Sequence, residues 1–323
     1  IAKWDGSAWS ALGTGMNNPV VALVVDSSGT LYAGGYFTTA GGVAAKRIAK
    51  WNGTAWSALG VGIGVSINEP VRALALDSSG NLYAGGYFST AGGVAANNIA
   101  KWNGTAWSAL GTGMDNTVYT LAIGSSGTLY AGGSFNTAGG LAANYIAKWN
   151  GTAWSALGPG MNSSVRALAL DSSGNFYAGG AFTTAGGVAA NRIAKWNGSN
   201  WQGFGVPDPS AIGLNGLVFA LAVGSNGNVY AGGVFTTAGG VTVNRIVKWD
   251  GSTWSALGTG LGNTVNALAL DSSGNLYAGG DSTIAKWNGT AWSALGTGIY
   301  GDVYALALDS SGNLYAGGTF TTA

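Results

Sequence analysis

The chain has 323 residues, of which 59 are glycine and only 8 % are charged; its net charge is +1, and it contains neither cysteine nor histidine. This composition excludes disulfides and thiolate metal sites, and it removes the usual general base and the commonest metal ligand. The lysines are spread along the chain rather than clustered, which argues against a nucleic-acid partner, and no run of about 18 apolar residues marks a membrane span.

The chain opens inside a repeat. Ile1-Ala2-Lys3-Trp4 recurs as Ile-(Ala/Val)-Lys-Trp ending at Trp51, Trp102, Trp149, Trp196, Trp249 and Trp287. A period of about 47 residues filled with strand-type segments is the signature of a β-propeller blade. In the second full unit, Val71 to Leu76 is an apolar run of strand length, followed by the turn cluster Asp77-Ser78-Ser79-Gly80-Asn81 and a second strand, Leu82 to Phe88. A connection rich in small residues, Ser89 to Asn97, leads to a third strand, Ile99 to Trp102. Asn103-Gly104 reads as a type I′-like hairpin signal before a fourth strand, Ala106 to Leu110.

Four antiparallel strands per unit make a blade. The small residues of the Ala-Leu-Ala-Leu and Tyr-Ala-Gly-Gly segments suit the crowded region near a ring axis. The chain starts with third and fourth strands (Ile1 to Trp4, Ala8 to Leu12) and finishes with first and second strands (Val303 to Leu308, Leu314 to Phe320). The expected fold is therefore all-β: a seven-bladed β-propeller of four-stranded antiparallel blades, one domain over residues 1–323, closed by a blade shared between the termini. Pairing the ends removes an open sheet edge. Opening mid-repeat, without an initiator methionine or a signal peptide, the chain reads as part of a larger polypeptide.

The repeats differ mainly on one rim. The turns between first and second strands and between third and fourth strands are nearly constant. The opposite rim has a long connection at Val61 to Pro70, another at Gly205 to Gly216, and a shortened one around Asp281 to Thr283. The residue just inside the first strand also changes from blade to blade: Val21, Arg72, Tyr119, Arg166, Phe219, Asn266 and Tyr304. So does the residue after the glycine pair: Tyr36, Tyr87, Ser134, Ala181, Val234, Asp281 and Thr319. Loops on a rigid scaffold carry function, so this rim and its channel mouth form the candidate binding face. Arg72, Tyr119, Arg166, Phe219, Asn266 and Tyr304 are its candidate ligand-binding residues; drift in unconstrained loops is the plainer explanation.

Other recurring residues have structural explanations. All 14 tryptophans belong to the repeat, two per unit, and their bulk fills the widening outer wedge between blades; exposed, they would stack on sugars. The Asp-Ser-Ser-Gly-Asn turns look loosely like oxygen-ligand loops for calcium, but lack the several acidic residues such loops use, and Gly124 and Gly224 replace the aspartate in two units. Asn-Gly-Thr/Ser at Asn52, Asn103, Asn150, Asn197 and Asn288 matches a glycosylation acceptor, yet the same letters serve a tight turn. No Ser-His-Asp, Cys-His or metal-ligand cluster can be assembled, and no catalytic residue, metal or cofactor is expected.

Asp-Ser-Ser-Gly-Asn-Leu-Tyr-Ala-Gly-Gly resembles the repeats of large bacterial secreted and cell-surface seven-bladed propellers. The Phe-Thr-Thr-Ala-Gly-Gly and Ile-Ala-Lys-Trp-Asn-Gly-Thr-Ala-Trp-Ser-Ala-Leu-Gly-Thr-Gly portions are similar to kelch-like repeats, including those of fungal Rax-type polarity-marker ectodomains. Together these portions cover the whole chain. The resemblance implies an extracellular or surface-attached module. The copper chemistry of galactose-oxidase-like kelch enzymes is not carried over, because it needs histidine. The expectation is a non-enzymatic binding, adhesion or scaffold module whose ligand is a glycan or a protein. The alternatives are a carbohydrate-active enzyme using two channel carboxylates, or a purely structural propeller made by recent amplification or consensus design.

Overall fold

In a computed structural model, which describes residues 1–66, 68–204, 213–296 and 299–323, seven four-stranded antiparallel sheets stand around a central axis. This is a seven-bladed β-propeller. The innermost strands are Val20–Val25, Val71–Leu76, Val118–Ile123, Val165–Leu170, Val218–Val223, Val265–Leu270 and Val303–Leu308. Each neighbours the next, and the last neighbours the first. Blades 1 to 7 are numbered in that order. Blade 7 is the shared one: Ala2–Trp4 pairs antiparallel with Leu314–Gly318, with Ala2 opposite Ala316 and Trp4 opposite Leu314.

Apolar burial occurs between blades, and the described residues form seven separate clusters. One of them joins Tyr83 and Ile99 of blade 2 to Val118, Leu129 and Phe135 of blade 3. This is how a chain of 323 residues is stabilised without a single large core: each blade buries its faces only on its neighbours.

The outer wedge is held by the paired tryptophans. Within each blade the two rings sit 5.0–5.5 Å apart and tilted. The indole N–H of the second one donates to a leucine carbonyl of the preceding blade, as in Trp154 to Leu110 at 2.8 Å and Trp201 to Leu157 at 2.8 Å. Each such bond ties neighbouring sheets directly, in addition to the area the ring buries. The junction of blades 4 and 5 departs from this pattern. Gln202-Gly203-Phe204 stands where other units have Ser-Ala-Leu, the Phe204 carbonyl accepts from the Gly213 amide at 2.8 Å, and buried Trp254 Nε1 lacks a partner among the described residues.

The structure adds a detail to one connection and corrects one turn. The connection between second and third strands carries a small two-stranded ribbon in blades 1 to 5, such as Thr90–Ala91 with Val94–Ala95; blade 6, with its shortened connection, turns directly from Gly280 to Thr283. The Asn-Gly turns are not two-residue hairpins of the I′ kind. Trp102 pairs with Trp107 across a four-residue loop, in which Asn103 Oδ1 accepts the amides of Thr105 and Ala106 and Gly104 has φ +97°. The asparagine side chain there replaces the backbone hydrogen bonds of a tighter turn.

The Asp-Ser-Ser-Gly-Asn turns on the same rim are likewise self-sufficient. Asp77 Oδ1 accepts the amides of Ser79 and Asn81, while Oδ2 accepts Asn81 Nδ2 at 2.7 Å and the Tyr83 hydroxyl at 3.2 Å. Burial alone would raise the pKa of Asp77, but the hydrogen bonds outweigh it and hold the carboxyl below its ordinary range. The carboxylate is thus committed to the turn.

Candidate functional site

The variable residue of each innermost strand occupies one special backbone position. In blade 2, Val71 lies opposite Gly86 and Ala73 opposite Gly85, so Arg72 is the extra residue of a β-bulge. Val21, Tyr119, Arg166, Phe219, Asn266 and Tyr304 hold the same place in the other blades. A bulge takes one side chain out of the strict alternation of a strand and re-aims it. Here it turns that side chain to the channel mouth rather than into the sheet-to-sheet interface, so it varies while its neighbours stay nearly constant.

The glycine pair makes this geometry possible. A Cβ on Gly85 would lie 2.6 Å from Val118 Cγ1 of the next blade, and one on Gly86 would lie 2.1 Å from the Pro70 carbonyl oxygen. The first glycine permits close packing of the sheets; the second lets the chain fold over the bulge.

The structure brings all six candidate residues, Arg72, Tyr119, Arg166, Phe219, Asn266 and Tyr304, to the wall of one cavity of about 650 Å³ at the mouth of the channel. Val21, Tyr36 and Thr319, noted for their variation, also line it. Asn18, Pro19 and Asn68 complete the wall and were not singled out from sequence. They belong to the connections that enter blades 1 and 2; Asn68 falls within the long Val61 to Pro70 connection already noted, whereas only their place just before a first strand could have flagged Asn18 and Pro19. Tyr87 and Val234 are absent from the wall. The long connection at Val61 to Pro70 contributes Asn68 and is braced by Glu69, whose Oε2 accepts the amides of Val65 and Ser66. The other long connection lies outside the described residues over 205–212.

The mouth is chemically lopsided. On one arc, aromatic rings and guanidinium groups alternate from blade 1 to blade 5: the Arg72 guanidinium carbon lies 5.5 Å from the Tyr36 ring centre and 5.7 Å from that of Tyr119. Arg166 lies 5.2 Å from Tyr119 and 5.6 Å from Phe219. Arg72 also donates to the Tyr36 hydroxyl at 2.5 Å. On the other arc, Asn266 donates to Asp281 at 3.0 Å, and the Tyr304 hydroxyl donates to Asp302 at 3.1 Å. Burial raises the pKa of Tyr304, and the hydrogen bond to Asp302 and the nearby charges of Asp302 and Asp281 push the same way. Both carboxylates are thus bonded to wall residues, and among the described residues no carboxylate lines the cavity itself.

No protein-family model matches this sequence, and no curated protein matches it. By structure, the chain is similar to the extracellular domain of the BT4673 one-component system of B. thetaiotaomicron, with a TM-score of 0.66 and 16 % identity. That match covers 94 % of this chain and 37 % of the other. A second structure, of the extracellular domain described as the BT4673 hybrid two-component system, matches with the same score and identity over 99 % of this chain and 39 % of the other. The chain therefore spans well under half the length of these two relatives. The WD40 β-propeller domain of Doa1 matches with a TM-score of 0.64 and 16 % identity, covering 99 % of this chain and 94 % of that one. At such identities the likeness is one of fold.

Proposed function

We propose that the chain is a non-enzymatic recognition module, working outside the cell, that takes a ligand at the variable mouth of its channel. The observation that carries this reading is the pooling of variation: the one bulged residue per blade that turns to the channel mouth is the residue that differs, and six of these seven line the cavity along with the seventh, Val21. A concave site of this size, with aromatic walls and a few polar groups, suits a small ligand or a protruding segment of a larger one. Aromatic rings beside arginine and asparagine favour a glycan over a flat protein surface. The extracellular setting is supported by the fold likeness to the extracellular domain of BT4673, seen in two structures, and by the resemblance of the repeats to secreted propellers and kelch-like, Rax-type ectodomains.

A glycan array, followed by calorimetric titration of the hits, tests the proposal. Binding that disappears in Tyr119→Ala and Phe219→Ala, with unfolding unchanged, is the expected result. A protein-scaffold role has one specific observation behind it, the exposure of Val61 and Val65 on the long blade 2 connection. In that case shortening this connection, rather than altering the mouth, abolishes capture of a partner.

A further inference from the structure

We infer that the ligand of the mouth carries an oxyanion, a carboxylate or a sulfate on a sugar, which is received between Arg72 and Arg166. This rests on the reading of the mouth as a glycan site and names the class of sugar.

Both guanidinium carbons lie within 5.7 Å of the same Tyr119 ring centre, one from each neighbouring blade, and both side chains line the same cavity. A guanidinium has five N–H donors. Among the described residues Arg72 uses one of them, toward the Tyr36 hydroxyl, and Arg166 makes no hydrogen bond. The Nε atoms of both are buried and without a partner, and neither arginine is ion-paired with a carboxylate among the described residues. Two unneutralised cations packed against one ring in a partly buried wall are costly unless something anionic meets them.

The rings constrain how that anion arrives. Tyr36, Tyr119 and Phe219 flank the guanidinium groups and limit their side-chain freedom, leaving the planar N–H fork of Arg166 and the remaining N–H groups of Arg72 as unused donors among the described residues. Such forks match two-oxygen acceptors such as carboxylate or sulfate. Across the cavity, Asn266, Thr319 and Tyr304 offer amide and hydroxyl groups suited to sugar hydroxyls. Asp281 and Asp302, hydrogen-bonded to Asn266 and Tyr304 of that arc, disfavour an anion there and so orient the ligand with its charge toward blades 2 to 4.

The test is calorimetric titration of the whole chain with uronate-containing oligosaccharides, with the same oligosaccharides as neutral methyl esters, and with sulfated galactose oligosaccharides. A non-sugar aromatic carboxylate, hippurate, is included. The expected result is binding of an acidic sugar that falls tenfold or more for the ester, weakens with added salt, and falls tenfold or more in Arg72→Met and in Arg166→Met. Arg166→Lys, which keeps charge but loses the fork, falls between. Preference for the sulfated sugar with the same arginine dependence supports the inference and assigns sulfate as the source. Hippurate binding without sugar binding overturns the assignment to a sugar. Equal affinity for acid and ester, unaffected by the arginine substitutions, overturns the oxyanion while leaving a glycan-binding mouth intact. No binding of any charged sugar at 10 mM or so overturns it as well, and array hits among neutral glycans would still uphold the broader reading.

Discussion

The two rims of the ring are built from the same seven repeats and have opposite characters. On the turn rim each aspartate or asparagine is consumed by its own loop, as Asp171 is by Ser173, Asn175 and Tyr177. On the mouth rim the bulged residues bond at most to groups around the mouth, as Asn266 does to Asp281, and Arg166 has rings beside it and no hydrogen bond among the described residues. Residues that complete their own hydrogen bonding are free to repeat unchanged, whereas residues left with spare bonding capacity can diverge toward a ligand.

The contrast breaks most severely if the bulge is removed. Gly86→Ala, whose Cβ would sit on the Pro70 carbonyl, is expected to cost about 3 kcal/mol or more in urea unfolding, through overpacking against backbone that has no room to yield. Gly80→Ala, in the turn rim with open space around its Cβ but φ +79°, should cost about 1 kcal/mol. The inter-blade indole bond comes next. Trp154→Phe should lose about 1–2 kcal/mol, because the Leu110 carbonyl is left without its donor. Trp254→Phe should lose less by roughly 1 kcal/mol, its Nε1 having no partner to begin with; equal losses would show that the bond is incidental to ring packing.

Titration sharpens the comparison further. The turn aspartates Asp26, Asp77, Asp171, Asp271 and Asp309 are held below their usual range, their hydrogen bonds outweighing burial. The unfolded chain therefore takes up protons first. The stability they contribute is complete above about pH 4 and is lost as pH falls through the folded values. At the alkaline end, burial and the neighbouring aspartates raise Tyr83 and Tyr315 to about 12, so their contribution is complete below about pH 10 and lost between pH 10 and 12. Thermal unfolding across pH, in wild type and in Asp171→Ala, checks the acid limb. The smallest effect belongs to the mouth: Arg166→Met, which removes an unneutralised cation from the wall, should raise stability by about 0.5 kcal/mol, while its effect on binding is large.

Much of this architecture was legible in the chain. The recurrence of Ile-Ala-Lys-Trp exposed the blade, and the truncated first and last units exposed the shared one. The varying positions Arg72, Tyr119 and Arg166 could be picked out because repeats supply their own internal comparison. Their common orientation could not, because a bulge is a pairing offset between Val71 and Gly86 that leaves no mark on hydrophobic alternation. The glycine pair was read as crowding near the axis. That holds for Gly85 against Val118, but Gly86 answers to the Pro70 carbonyl of its own blade. Ribbons such as Thr90–Ala91 with Val94–Ala95 are too short to carry a period at all. The lopsided distribution of charge around the mouth was equally hidden, since Asp281 and Arg72 are distant in sequence and come to opposite arcs of one mouth only through the curvature of the ring.

The seam in blade 7, where Ala2–Trp4 lies against Leu314–Gly318, means that the circle has no inherent starting point. Joining Ala323 to Ile1 through a short Gly-Gly-Val-Ala-Ala-Asn-Arg bridge and reopening the backbone in another ribbon would give a cyclic permutant. Its bulged residues would meet the axis in the same rotational order as before.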